Sequence, residues 1–185
     1  MTPLEAALVE ISTALDRLQV LHMLVGGLAV SLWGEPRATL DVDLVLWVEP
    51  ENLPSVIAQL AKEFHALPAS PAAFVAQTRV LPVSTAQGVR ADLIFAELPY
   101  EKEAIGRSQR KQVGERMVAV ASLEDLLLSK LVSGRSRDLD DVSRILRRFR
   151  RQIDYAYLEP RLRELADALG RSEIIDLVQR ESGRD

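Results

Sequence analysis

The sequence predicts an α/β (α+β) fold: a mixed β-sheet flanked by helices, followed by an α-helical C-terminal part. Three observations carry this expectation. Short apolar runs bounded by turn residues, such as Leu21–Val25, Leu44–Leu46, Val89–Phe95 and Met117–Ala121, read as strands. Between them lie segments whose apolar residues recur at helical spacing. After Ser122 only helical spacing remains, which sets the division at residues 1–120 for the α/β core and 121–185 for a helical subdomain packed on it.

Thr2-Pro3-Leu4-Glu5 reads as a helix start, with Thr as cap, Pro in the first turn and Glu as capping-box partner. Leu4, Leu8, Ile11, Leu15 and Leu18 give that helix an apolar stripe that covers the sheet. Leu21–Val25 is a short strand delivering Gly26-Gly27, and Leu28–Trp33 is a short helix stopped by Gly34-Glu35-Pro36. His22 reads as a packed or surface residue rather than a ligand. Pro50 ends the following strand, and Leu53–Leu67 is expected as a helix with His65 near its end. Pro68 to Pro71 is a turn, Phe74–Ser84 is β-like, and Gln87-Gly88 is a second turn. Tyr100–Gly106 is a short helix, and Arg107–Glu115 a polar hairpin turning at Gly114. Ser122 caps the first of four helices in the C-terminal part; the third ends at Gly170.

Composition narrows the function classes. The absence of cysteine excludes a disulfide framework and a Cys-based zinc site. No apolar run reaches the length of a membrane span, and Met1–Glu5 carries no basic region ahead of an apolar one, so neither a membrane nor a signal peptide is expected. A cytoplasmic location fits. The net charge of −4 argues against a protein wrapped evenly in nucleic acid while leaving room for a local basic patch.

The chain is organised around Val25–Val48. Asp41 and Asp43 stand two residues apart at the mouth of an apolar strand, so both carboxylates project from one face. Adjacent carboxylates repel unless a cation lies between them, and Mg²⁺, which takes oxygen ligands and keeps waters and substrate phosphates in its shell, answers that need. Gly26-Gly27, the short helix and Arg37-x-Thr39-x-Asp41-x-Asp43, in this order, resemble the nucleotidyltransferase superfamily named for DNA polymerase β. The R-x-T-x-D-x-D form looks like the small bacterial members that include abortive-infection type II (AbiEii-like) toxins. The superfamily pattern implies a third carboxylate on a neighbouring strand, and Asp92 is the good candidate before the helical part.

A second motif, Lys130-x-x-x-x-Arg135-x-Arg137-Asp138-x-x-Asp141, resembles the third motif of those toxins. Lys130 would offer a point charge to triphosphate oxygens, and Arg135 or Arg137 a bidentate grip on phosphate. Asp138 and Asp141, three apart, share a helix face. The same residues also read as a helix corner laced by ion pairs. From Arg135 to Arg151 there are seven Arg and three Asp, a local balance of +4. Arg144, Arg147, Arg148 and Arg151 in this run read either as a solvated face or as a phosphate-tracking surface for RNA.

The resemblance implies transfer of a nucleoside monophosphate from an NTP to an acceptor hydroxyl, with release of pyrophosphate. Asp41, Asp43 and Asp92 would be the catalytic and metal-holding carboxylates for Mg²⁺ or Mn²⁺, with Asp92 as general base. Gly26, Gly27, Arg37, Thr39, Lys130 and Arg135 would bind the NTP phosphates. It also implies a toxin-like role with an RNA (tRNA) acceptor and an antitoxin protein as partner. The alternatives are an antibiotic-modifying nucleotidyltransferase and a non-catalytic, nucleotide-binding regulatory member of the fold.

Overall fold

The computed structural model describes residues 1–35 and 37–183. Pro36, read from sequence as part of a helix stop, lies outside the described residues. Helix α1 (Pro3–Arg17) carries the expected capping box: Thr2 Oγ1 accepts from Glu5 N at 3.2 Å, and Glu5 Oε2 accepts from Thr2 N at 2.7 Å. Strand β1 (Leu21–Val25) leads directly into α2 (Gly26–Leu32), and β2 (Asp41–Trp47) follows. The rest of the first part comprises α3 (Leu53–Glu63), β3 (His65–Ala66), α4 (Pro71–Thr78), β4 (Val80–Ser84), β5 (Arg90–Phe95), α5 (Pro99–Gly106), β6 (Gln109–Val113) and β7 (Arg116–Val120). Helices α6 (Leu123–Ser133), α7 (Ser136–Phe149), α8 (Tyr155–Leu169) and α9 (Glu173–Ser182) complete the chain.

The strands form one mixed sheet in the order β3-β4-β5-β2-β1-β7-β6. At its centre β2 runs parallel to β5 and antiparallel to β1. One face is fully covered: Leu24, Val42, Leu44, Leu46, Ala91 and Leu93 are wholly buried there, with α1 packed against β1, β2 and β7. Removing apolar area from water on this scale supplies most of the drive to fold, at about 25 cal/mol per Å². The alternating residues of β1, β2 and β5 point to the opposite face. That face carries Asp41, Asp43 and Asp92, and these three are only half-buried.

Two local expectations need correction. The helix expected over Leu53–Leu67 ends at Glu63, and His65 lies on strand β3, not at a helix end. Backbone pairing of His65 with Ser84 and of Ala66 with Val83 outweighs further helix, and the chain is already extended at Phe64. The β-like reading of Phe74–Ser84 holds only for Val80–Ser84. Pro71 sits in the first turn of α4, the alanines around buried Val75 favour helix, and Arg79, at φ 61°, ends it. His22 is packed: its ring is buried and Nδ1 lies 2.9 Å from the Val20 carbonyl oxygen.

Candidate active site

Parallel pairing of β2 with β5 sets the site. Asp43 is the register partner of Asp92, and Asp41 the partner of Arg90. Side chains of register partners in a sheet share a face, so the two-residue spacing on β2 and the pairing with β5 bring three carboxylates together. One oxygen from each of Asp41, Asp43 and Asp92 lies within 4.8 Å of the others. Burial raises the Asp43 carboxyl from its ordinary value of 3.8 to about 6, and the charges of Asp41 and Asp92 add to the effect. Lys130 and Arg135 act on it in the opposite direction. A half-buried group of carboxylates whose own repulsion is felt at Asp43 suits a hard divalent cation with oxygen ligands.

The Gly pair faces these carboxylates. Gly26, at φ 70°, takes a conformation that L side chains rarely adopt, and a Cβ there would lie 1.8 Å from Asp43 Oδ2. A Cβ at Gly27 would meet Thr39 Oγ1 at 2.8 Å. Thr39 Oγ1 in turn donates to Asp41 Oδ1 at 2.8 Å. Thr39 thus couples the start of α2 to the first carboxylate.

The second motif forms the adjoining wall. The Lys130 ammonium is 2.8 Å from both Asp138 Oδ1 and Asp141 Oδ2, and all three side chains are almost fully buried. Ser133 Oγ donates to Asp138 Oδ2 at 2.6 Å and Arg135 Nε at 2.7 Å. Burial alone would raise the Asp138 carboxyl, but the hydrogen bonds from Lys130, Ser133 and Arg135 outweigh it and hold the group well below the usual range. Arg37 pairs with Asp141 and approaches Asp138 to 3.7 Å. Arg137 donates to the Ala38 carbonyl at 3.3 Å. Arg37, Lys130, Asp138 and Asp141 are therefore brought together as one buried ion-pair cluster that ties α6 and α7 to the segment entering β2. Lys130 is committed to this cluster rather than free in the cleft, while the Arg135 side chain remains 78% exposed.

Arg90 was not singled out from the sequence. Its Nη2 lies 3.2 Å from Asp92 Oδ1, and its Nε donates to the same oxygen at 3.3 Å. The available signal was its spacing: two residues before Asp92, on the same face of one strand.

Three half-buried carboxylates on adjacent strands, faced by the glycine that opens α2, form a group that could hold a metal ion. The chain belongs to the family described as "Nucleotidyltransferase of unknown function (DUF6036)", whose model matches residues 1–179. Its fold is similar to that of an antigenic nucleotidyltransferase-like protein from Paracoccidioides brasiliensis, with 18% identity, a TM-score of 0.55, and 95% of this chain and 92% of that chain covered. It is also similar to ANT(2")-Ia solved in complex with adenylyl-2"-tobramycin, with 14% identity, a TM-score of 0.55, and 99% of each chain covered. No curated protein matches the chain. No helix among the described residues is long and apolar enough to cross a membrane.

Proposed function

We propose that the chain transfers a nucleoside monophosphate from an NTP to an acceptor hydroxyl and releases pyrophosphate. The observation that carries this reading is the convergence of Asp41, Asp43 and Asp92 within 4.8 Å beside a glycine that leaves no room for a side chain. Asp41 and Asp43 would hold Mg²⁺ or Mn²⁺, with Asp92 sharing one ion; bound there, the metal supplies positive charge to the phosphates and the attacking oxygen. Asp92 takes the proton from the acceptor hydroxyl, and Arg90 holds its carboxylate in place. Gly26 and Gly27 allow the backbone to approach the triphosphate. Arg135 is an exposed cation on the wall and is assigned to the phosphates. Arg37, Thr39 and Lys130 act through position, by fixing the entry to β2 and setting the local charge.

Two acceptors fit this chemistry. A toxin-like role with an RNA end, and with an antitoxin as protein partner, draws support from the arginine run. Within that run Arg147 is paired with Glu181 at 2.7 Å and Arg148 with Glu35 at 3.2 Å, which weakens the case for a free phosphate-tracking surface. A small-molecule acceptor draws support from a cavity lined by Val25, the register partner of Asp43, and from the similarity in fold to ANT(2")-Ia, solved in complex with adenylyl-2"-tobramycin.

The direct test is incubation with each α-labelled NTP and Mg²⁺, together with a thermal-shift measurement. NTP and Mg²⁺ together are expected to raise Tm, because a ligand that binds only the folded state stabilises it. The doubly substituted Asp41→Asn, Asp43→Asn protein is expected to lose that shift; an undiminished shift places nucleotide binding elsewhere.

A further inference from the structure

We propose that the acceptor is a small, neutral or cationic molecule with a largely apolar body, seated in a cavity of about 460 Å³ whose lining residue Val25 is the register partner of Asp43. This rests on the nucleotidyl-transfer reading and names the substrate class it leaves open.

The floor of the cavity is the site-bearing face of the sheet. Val25 is the register partner of Asp43, Met23 is the partner of Val45, and Val45 stands two residues beyond Asp43 on the same face of β2. A molecule resting on these three side chains therefore lies one same-face step, about 7 Å, along the strand from Asp43. The walls are Ala104 of α5, Leu128 of α6 and Leu165 of α8. Leu98, Tyr100 and Val132 also line the cavity and are 52%, 46% and 45% exposed, an apolar surface left open to solvent. The volume lies within the roughly 300–1,000 Å³ of small-molecule sites.

Charge selects the occupant. Glu101, Asp125 and Glu164 line the cavity. Arg161 is the one cation among the described lining residues, and it is held by Glu103 at 2.7 Å and stacked over the Tyr157 ring at 3.7 Å. Asp125 accepts from Tyr157 and lies 3.8 Å from Arg107, and Glu101 accepts from the Glu97 and Leu98 N–H groups. With Glu164, the lining still carries three carboxylates to one guanidinium, a balance that disfavours the phosphates of an RNA end and favours an uncharged or amine-bearing molecule. None of Arg144, Arg147, Arg148 and Arg151 lines this space.

In the step itself the acceptor oxygen forms a bond to the α-phosphorus of the NTP. The bond from that phosphorus to the bridging oxygen breaks, its electron pair leaves with pyrophosphate, and the hydroxyl proton passes to Asp92. The cavity would orient the body of the acceptor with its hydroxyl toward Val25, the register partner of Asp43.

Two arms test the proposal on the full chain. In the first, N-phenyl-1-naphthylamine, a neutral apolar fluorophore, is titrated into the protein. Saturable binding of one probe per chain is expected, weakened at least ten-fold by Val132→Arg and by Ala168→Arg, both exposed positions at the cavity. Neither substitution should alter the Tm shift given by NTP and Mg²⁺. Absence of saturable binding, or equal binding by both variants, overturns the proposal. In the second arm, α-labelled NTPs and Mg²⁺ are incubated with a whole-cell extract, which is then divided into acid-precipitable and butanol-soluble fractions. Label in a butanol-soluble product that both variants fail to make is expected. Label in acid-precipitable RNA, formed equally by the variants, overturns the cavity as acceptor site while leaving nucleotidyl transfer standing. A wild-type protein that shows neither a Tm shift with NTP and Mg²⁺ nor any labelled product overturns nucleotidyl transfer itself, whatever the fluorophore does.

Discussion

A methyl group at Gly26 would overlap the carboxylate of Asp43, at 1.8 Å from Oδ2. The glycine is thus required twice, by its positive φ and by the carboxylate that fills the space of its missing side chain. Gly26→Ala is expected to displace Asp43 and cost at least 100-fold in transfer rate, with a backbone penalty of about 1–3 kcal/mol in stability. Initial rates and urea melts check it. Wild-type rates from the alanine variant would detach Asp43 from the reaction.

Removing a charge disfavoured first by burial and then by Asp41 and Asp92 should stabilise the metal-free protein while disabling it. Asp43→Asn is expected to raise the metal-free stability by roughly 1–3 kcal/mol, the scale set by a shift from 3.8 to about 6. It should also abolish the added stability from Mg²⁺ and NTP. A variant less stable than the parent without metal would show that the Asp43 charge is not held against burial and repulsion.

The same group gives a signed pH dependence. Its folded pKa is raised, so protonation favours the folded state. That contribution is complete below about pH 3.8 and is lost as pH rises through about 6. Protons compete with metal at the same oxygens, so the Tm increment from Mg²⁺ should grow as pH rises through about 6. Melting curves with and without Mg²⁺ across this window, compared with Asp43→Asn, check the sign; an increment that shrinks with pH contradicts it.

Lys130→Met leaves Asp138 and Asp141 buried beside Arg37 and Arg135 with one compensating charge removed. The expected cost is about 3–5 kcal/mol. Asp138, held low in the folded state, contributes stability that is present above its ordinary pKa and lost as pH falls below it. Lys130→Met should therefore flatten the acid limb of the stability curve. An unchanged acid limb would assign that limb to other carboxylates.

Replacing Arg147, Arg148 and Arg151 together distinguishes the RNA reading from the cavity. If RNA is bound there, affinity falls and the salt dependence flattens by about one unit of slope for each phosphate that is no longer neutralised. With the acceptor in the cavity, transfer is unchanged, and the substitutions register instead as a lower Tm from the missing Glu181 and Glu35 pairs. Filter binding over a salt series separates the two.

Much of the site was legible in the residue order because it depends on local periods. Asp41 and Asp43 share a face because the side-chain period of a strand is two, and Gly26 stands where φ is 70°, a backbone that other residues adopt only at a cost. The α1 capping box and the helical run after Ser122 are local in the same sense. Other features depend on register and packing, which no local pattern encodes. Asp92 meets Asp43 through parallel pairing of β2 with β5, strands separated by a short 3-10 helix, two α-helices and two shorter strands. Arg37 and Asp141, distant in sequence, become partners only when α7 docks on the loop before β2, which turns Lys130 from a candidate phosphate ligand into the centre of a buried charge cluster. The end of α3 at Glu63 was decided by β4, which supplies backbone partners to His65 and Ala66. The cavity of Met23, Val25 and Val45 has no sequence signature, since its walls come from three helices and its floor from two strands. Short-range periods and backbone restrictions are properties of the chain itself; pairing partners, burial of charge and enclosed volume exist only once distant segments have packed.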